Sequence, residues 1–199
     1  MICAVVLAAG LSSRMGVQKL LLPFGGKTVI GHIVDQLFAS TIGEVHVVVG
    51  HQAERISAEL SARAVTIVNN PNYKSGMLSS VRRGIQSLPE ECRAVMVVLG
   101  DQPSITTELI NKMLKSFAAT EKSILVPLYE GRRGHPVLFS RQYRDEIMTH
   151  YNDVGLRGLL HSHPKEIFEL TVTTASVLCD MDYPEDYRRE IGLNKQNMQ

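Results

Sequence analysis

The sequence predicts an α/β domain built on a mostly parallel sheet. Five short runs dominated by Val, Ile, Leu and Ala are apolar almost throughout, as strands covered on both faces must be. Amphipathic segments of helical length separate them, so strand and helix alternate along the chain. At 199 residues, 44% hydrophobic and 21% charged, the chain can bury one sizeable core and is short for two.

The strands are expected at ICAVVL (2–7), VHVVVG (45–50), AVTIV (64–68), AVMVVL (94–99) and SILVP (123–127). Between them TVIGHIVDQLFAS (28–40), QAERISAELSA (52–62), LSSVRRGIQSL (78–88) and TTELINKMLKSFAA (106–119) carry a helical period. In the last, Thr106 suits the N-cap, and Leu109, Ile110, Met113, Leu114 and Phe117 share one face. After residue 127 the alternation weakens. LYEGRRGHPVLFS (128–140) reads as a basic loop, RQYRDEIM (141–148) and GLRGLLHSH (155–163) as short helices, and IFELTVTT (167–174) as a strand. GLNKQNMQ (192–199) has no apolar period and is expected to fray. No linker, repeat or low-complexity tract divides residues 1–199, so they are read as one domain.

A net charge of +1 argues against nucleic acid or an anionic membrane as a partner, so any bound anion must be held by local geometry. Three distant cysteines without a CxxC spacing exclude a disulfide framework or a cysteine zinc site and suit a reducing compartment. The ICAVVLAA run is too short to span a membrane, so a cytoplasmic location is expected.

Ligands of open α/β sheets bind at the carboxyl ends of strands. There the first strand runs into LAAGLSSRMG, followed by Lys19. Small residues let backbone N–H groups approach a phosphate chain, while Arg14 and Lys19 offer charge to its oxygens. An ordinary turn needs one glycine, not Ala-Ala-Gly, Ser-Ser and Met-Gly together. GxGxxG is absent, and GGKT (25–28) is no Walker A ending, because the first glycine would fall on Leu21.

Asp101, in VVLGDQP, falls just past a buried strand, where a carboxylate either holds Mg²⁺ or shapes a turn. In LCDMDYPEDY, Asp180 and Asp182 share one side of an extended segment and offer a second metal carboxylate; the other reading is that Asp182 or Tyr183 caps a helix starting at Pro184. Gly76, Ser79 and Ser80 open a helix, either reading a base edge or serving only as polar helix-start residues. GRRGHP (131–136) either takes a second anionic substrate or is a solvated loop. His161 and His163 lack metal-site spacing and read as surface residues.

Taken in order, LAAGLSSRMG with Lys19, GMLSSVRRGI, LGDQP, RGHPVLF, GLRGLL and DMDYPEDY resemble the MobA-like nucleotidyltransferases, and among them the molybdenum cofactor cytidylyltransferase branch. The resemblance implies a Rossmann-like three-layer sandwich of the nucleotide-diphospho-sugar transferase kind. Residues 1–120 would be its nucleotide-binding half and 121–191 its acceptor half. It implies transfer of CMP from CTP to the phosphate of molybdopterin, with release of pyrophosphate and dependence on Mg²⁺ or Mn²⁺. Carried over, Leu7, Ala8, Ala9, Gly10 and Gly100 would surround the nucleotide, with Arg14 and Lys19 on its phosphates. Gly76, Ser79 and Ser80 would lie near the base. Asp101 would be the main metal ligand, with Asp180 or Asp182 second. Arg133, Gly134, His135 and Pro136, with Asp153, Gly155 and Arg157, would face the acceptor. Guanylyltransferase relatives read Leu-Ala-Gly-Gly where this chain has Leu-Ala-Ala-Gly, and the added methyl of Ala9 favours CTP over a purine nucleotide. A sugar- or alcohol-phosphate acceptor, or a non-catalytic carrier delivering cofactor to a molybdenum hydroxylase apoenzyme, is the rival expectation.

Overall fold

The computed structural model describes residues 1–197. In chain order its elements are β1 (Ile2–Ala8), β2 (Pro23–Phe24), β3 (Lys27–Thr28), α1 (Val29–Phe38), β4 (Val45–Val49), α2 (Ala53–Glu59), β5 (Thr66–Asn69), α3 (Met77–Ser87) and β6 (Ala94–Leu99). There follow α4 (Thr107–Ala119), β7 (Ile124–Tyr129), β8 (Arg132–Arg133), β9 (Val137–Ser140), α5 (Arg144–Thr149), α6 (Leu156–Ser162), β10 (Ile167–Thr171) and α7 (Pro184–Asn197). The main sheet runs β10-β7-β9-β6-β1-β4-β5, with β8 pairing to β7 and β2-β3 forming a separate ribbon.

β1 lies between β6 and β4, parallel to both, with Leu7 opposite Leu99 on one side and Val48 on the other. Successive strand residues point to opposite faces, and both faces are covered. Ala4, Val6 and Ala8 join Ile30, Ile33 and Leu37 of α1, Ile56 of α2, and Ile110 and Met113 of α4 in one cluster. Cys3 and Val5 join Val81 and Ile85 of α3, Ile147 of α5 and Leu159 of α6 in the other. That double cover makes the three layers and explains why the strands read as unbroken apolar runs. The helix starts are encoded locally. The Thr28 side chain accepts from the Gly31 N–H at the head of α1, and Thr106 accepts from Leu109 at the head of α4. Gly84 lets α3 settle onto β1, because a Cβ there would lie 2.2 Å from a Val5 methyl.

Two expectations are corrected. Residues 128–140 are not one loop. β7 turns back through Glu130 and Gly131, both at positive φ as a two-residue hairpin requires, into β8. β9 then inserts between β6 and β7, antiparallel to each. Only four residues long, and preceded by Gly-His-Pro, β9 carries too little period to declare itself, yet Val137, Leu138 and Phe139 are all buried. The tail expected to fray at 192–199 is helical through Asn197, with Glu185 and Asp186 in the first turn of α7 pairing to Arg188 and Arg189. Residues 198–199 of that expectation lie outside the described residues. Among the described residues, no helix is long and apolar enough to cross a membrane.

Candidate active site

The carboxyl ends of β1 and β6 are brought together by one backbone bond. The Gly100 N–H donates to the Leu7 carbonyl at 3.0 Å, and a Cβ at Gly100 would stand 2.6 Å from that oxygen. The glycine therefore does not line the cavity. It lets the chain turn hard against β1 and delivers Asp101 beside the loop of residues 8–19.

That loop leaves the core at Ala9, which is 5% exposed, and returns at Gln18 and Lys19. Ser12 and Gly16 have positive φ, so the intervening turns need a small or permissive residue at each. Ser12 Oγ donates to Gln18 Oε1 at 2.9 Å, and Gln18 Nε2 donates to the His51 carbonyl at 3.2 Å, which fixes the returning limb. Lys19 then opens a 3₁₀ turn with only 9% of its surface exposed. Its Nζ donates to Asp101 Oδ2 at 2.5 Å and to Asp182 Oδ1 at 3.0 Å. An ammonium has three protons, so one remains for a ligand. Burial alone would lower the lysine pKa, but the Asp101 carboxylate, with Asp182 behind it, reverses the effect and leaves it above the ordinary value.

The opposite wall comes from residues 180–183. Met181 is fully buried and its N–H donates to the Asp101 carbonyl at 3.0 Å, so the segment is anchored against the β6 loop. Asp182 bonds to Lys19 and, at 2.6 Å, to Arg14, whose guanidinium also lies 5.6 Å from the centre of the Tyr183 ring. Asp180 accepts from Gln102 Nε2 at 2.7 Å. Packing about its carboxylate, then the charge of Asp101, push its pKa above the ordinary value. Gln102 is buried, and both neighbours of its Nε2, Asp180 and the Val177 carbonyl, are acceptors, so its amide orientation is settled.

Between these walls lies a cavity of about 500 Å³. Of the residues expected from sequence, Leu7, Ala9, Gly10, Arg14, Lys19, Gly76, Ser80, Asp101, Asp180 and Asp182 line it. Ala8 does not, because its side chain is in the core. Nor does Ser79. Its hydroxyl is turned to the Asn72 and Gly76 carbonyls and accepts from Asn70, which is helix-start work. Ser80 also accepts from Asn70 but faces the cavity.

The second-half residues stand apart from the lining. Arg133 is tied to Glu169 of β10 at 2.7 Å, which holds it at the far part of the sheet. Gly134 exists for close packing, since a Cβ would fall 2.2 Å from the Val177 carbonyl, and the His135 N–H donates to that same oxygen. Pro136 is buried, Asp153 and Arg157 are exposed, and Gly155 takes positive φ ahead of α6. His135 is the one of them that the charge of Asp101 influences. Burial holds its pKa below the ordinary value, Asp101 opposes that shift and Arg157 adds to it.

Sequence reasoning missed Leu11, Tyr73, Lys74 and Met77, all in the cavity wall. Lys74 was within reach of sequence, two residues before the Gly76 that opens α3. Tyr73 was not. It covers Gly50, where a Cβ would lie 2.7 Å from its ring and 2.9 Å from the Ala9 methyl.

Among the described residues, no group of three or more His, Cys, Asp or Glu side chains forms a metal cage. The donors present, Asp101 on one wall with Asp180 and Asp182 on the other, match a hard cation that takes one or two carboxylates and completes its shell from a phosphate-bearing ligand. The residues therefore fit Mg²⁺ or Mn²⁺ and fit no soft-metal site.

A phosphate-scale cavity with paired lysine and carboxylates at the ends of parallel strands agrees with comparison to known proteins. Residues 4–167 match the family model of the MobA-like NTP transferase domain. The chain belongs to that family. This MobA-like chain is 26% identical over 187 residues to molybdenum cofactor cytidylyltransferase of Escherichia coli K12, covering 92% of each protein. It is 28% identical over 196 residues to nicotine blue oxidoreductase of Paenarthrobacter nicotinovorans, covering 94% of this chain and 95% of that one. The crystal structure of Rv0371c from Mycobacterium tuberculosis H37Rv superimposes with a TM-score of 0.86 at 30% identity, covering 96% of this chain and 97% of that one. A manganese complex of Rv0371c gives a TM-score of 0.81 at 29% identity. The fold is that of the nucleotide-diphospho-sugar transferases. MobA-like relatives of similar length and identity carry different activities, so the reaction has to be argued from the site.

Proposed function

We propose that the protein transfers CMP from CTP to the phosphate of a molybdopterin-type cofactor and releases pyrophosphate. The observation that supports this best is the convergence of Lys19, Arg14 and Asp101 at the ends of two adjacent parallel strands, a charged site built for a phosphate chain. The relative named molybdenum cofactor cytidylyltransferase supports the acceptor.

An oxygen of the acceptor phosphate attacks the α-phosphorus of CTP in line. The new P–O–P bond forms as the bond to the β-phosphate oxygen breaks, and the electron pair leaves on pyrophosphate. The nucleophile is already anionic, so no side chain has to take a proton. Catalysis then rests on position and charge. The free proton of the Lys19 ammonium and the Arg14 guanidinium meet the charge that builds on the phosphoryl oxygens. Asp101 holds the ammonium aimed at them and, with Asp180 or Asp182, would hold a divalent cation. That cation, when bound, neutralises phosphate charge. Ser80 accepts from Asn70, so its own proton is free to donate to the carbonyl edge of a base, and the Ala9–Tyr73 wall narrows the base site toward a pyrimidine.

The test is to incubate the protein with CTP, GTP or ATP, Mg²⁺ or Mn²⁺, and molybdopterin, and to measure pyrophosphate. Release with CTP that depends on both cation and molybdopterin is expected. Preference for GTP overturns the base assignment. No release with any nucleotide overturns the transferase reading in favour of a cofactor carrier.

A further inference from the structure

We propose that Gln102 and Glu190 are positioning residues that clamp the loop after β6 to α7 and the segment before it, fixing the spacing between Asp101 and the pair Asp180 and Asp182. This rests on the reading that those carboxylates hold a divalent cation, and adds what keeps them in place. Among the described residues only two buried side-chain nitrogen or oxygen atoms lack a hydrogen-bond partner, Gln102 Oε1 and Glu190 Oε1. Both belong to side chains that cross the same seam.

Three ties join its two sides. The Met181 N–H donates to the Asp101 carbonyl at 3.0 Å. Gln102 Nε2 donates to Asp180 Oδ1 at 2.7 Å and to the Val177 carbonyl at 3.4 Å. Ser104 Oγ donates to Glu190 Oε2. Glu190 lies one turn after Asp186 on α7, so the two share a face. Asp186 Oδ2 accepts from the N–H groups of Asp182 at 3.1 Å and Tyr183 at 2.9 Å. One helix face therefore grips the backbone of Asp182 with one carboxylate and the Asp101 loop with the next. The carboxylates so placed meet at one ammonium, since Lys19 Nζ reaches Asp101 at 2.5 Å and Asp182 at 3.0 Å.

Docking of α7 alone does not account for these side chains. Glu190 is fully buried and Gln102 is 1% exposed. Arg189 Nε stands 3.7 Å from Glu190 Oε1, too far for a hydrogen bond, and the arginine side chain is half exposed. A buried oxygen without a donor costs stability, and an apolar side chain of similar volume fills such a place without that cost. What the polar groups supply is aim. Metal-binding carboxylates lose affinity when the hydrogen bonds that orient them are removed. Substitution should therefore move stability and metal affinity apart, whereas a strut that only docks the helix moves them together.

The test reads Mn²⁺ binding, from the electron paramagnetic resonance signal of the free ion with and without CTP, beside the melting temperature by circular dichroism. Glu190→Met and Gln102→Leu are each expected to bind Mn²⁺ about tenfold more weakly than wild type. Their melting temperatures should be no lower than wild type, because each removes an unpartnered oxygen and the Val177 carbonyl keeps the His135 N–H. Glu190→Gln leaves an oxygen for the Ser104 hydroxyl and should retain wild-type affinity. Wild-type affinity in either Glu190→Met or Gln102→Leu overturns the clamp, and so does a melting temperature that falls with the affinity. Equal losses in Glu190→Gln and Glu190→Met overturn the Ser104 tie and the clamp with it. If wild type itself binds no Mn²⁺ with or without CTP, the cation reading falls first and takes the clamp with it.

Discussion

From β5 through β4 and β1 to β6, every neighbour is parallel and every crossover carries a helix. From β6 through β9 and β7 to β10, an antiparallel strand is wedged between parallel partners, and after α4 has carried the chain from β6 to β7 the connections are a hairpin and two short helices. The regular side supplies strand ends and so a fixed place for Lys19 and Asp101. The irregular side spends its length returning the chain to the first loop, where residues 180–183 close the cavity. The candidate site is a seam. Asp101 and Lys19 come from one side and Asp180 and Asp182 from the other.

The largest effect should come from the regular side of that seam. Asp101→Ala is expected to lower CTP-dependent pyrophosphate release by about 10³-fold, the scale of losing one preorganised electrostatic group, while urea unfolding stays cooperative. Near-normal turnover would remove Asp101 from the chemistry.

Next comes a pair of glycines, one on each side. Gly134→Ala drives a methyl to 2.2 Å from the Val177 carbonyl, and Gly84→Ala drives one to 2.2 Å from a Val5 side-chain methyl. The Val177 carbonyl belongs to the 3₁₀ turn at Ala175–Leu178 and already accepts from the His135 N–H, so it cannot rotate away, whereas a valine can shift and alanine improves the helix. Gly134→Ala should cost about 3 kcal/mol and Gly84→Ala about 1 kcal/mol in urea melts, both within the range for overpacked sites. The reverse order would mean that the β9 region is the softer half.

Acid should weaken both sides through one histidine each. His32 and His135 are held below the ordinary histidine value, chiefly by burial. Below about pH 6.5 the unfolded chain takes up protons that these folded imidazoles refuse, so stability falls as pH drops through that point toward their depressed values. Substituting either by glutamine should flatten the slope, read from melting temperature against pH. An unchanged profile in both variants would break the assignment.

The smallest effect tests the acceptor expectation. Arg133→Ala removes a part-exposed ion pair with Glu169, so stability should fall by less than about 1 kcal/mol. Transfer should stay within about twofold of wild type. A large loss of transfer with Arg133→Ala would restore that residue to the acceptor site.

Much of the fold was legible because two-sided burial forces strands to be apolar throughout and because Thr28 and Thr106 mark helix starts. β9 was not, since four residues show no period and its place between β6 and β7 depends on partners far along the chain. In the site, Lys19 and Asp101 were legible from their positions after strands. Ser79 and Ser80 looked alike in sequence, and only the Asn70 bonds and the direction of α3 separated them. Asp180 and Asp182 looked alike too, two residues apart on one extended segment.

The sequence by itself determined the layers, the loop at the end of β1 and the identity of the charges around it, because all three follow from local period and residue type. Only the tertiary structure decided how those charges pair. A loop that reads as cationic over residues 10–19 is neutralised by a carboxylate that joins the chain 168 residues after Arg14. Electrostatic pairing depends on distance in space, and a local reading of the chain carries no information about that.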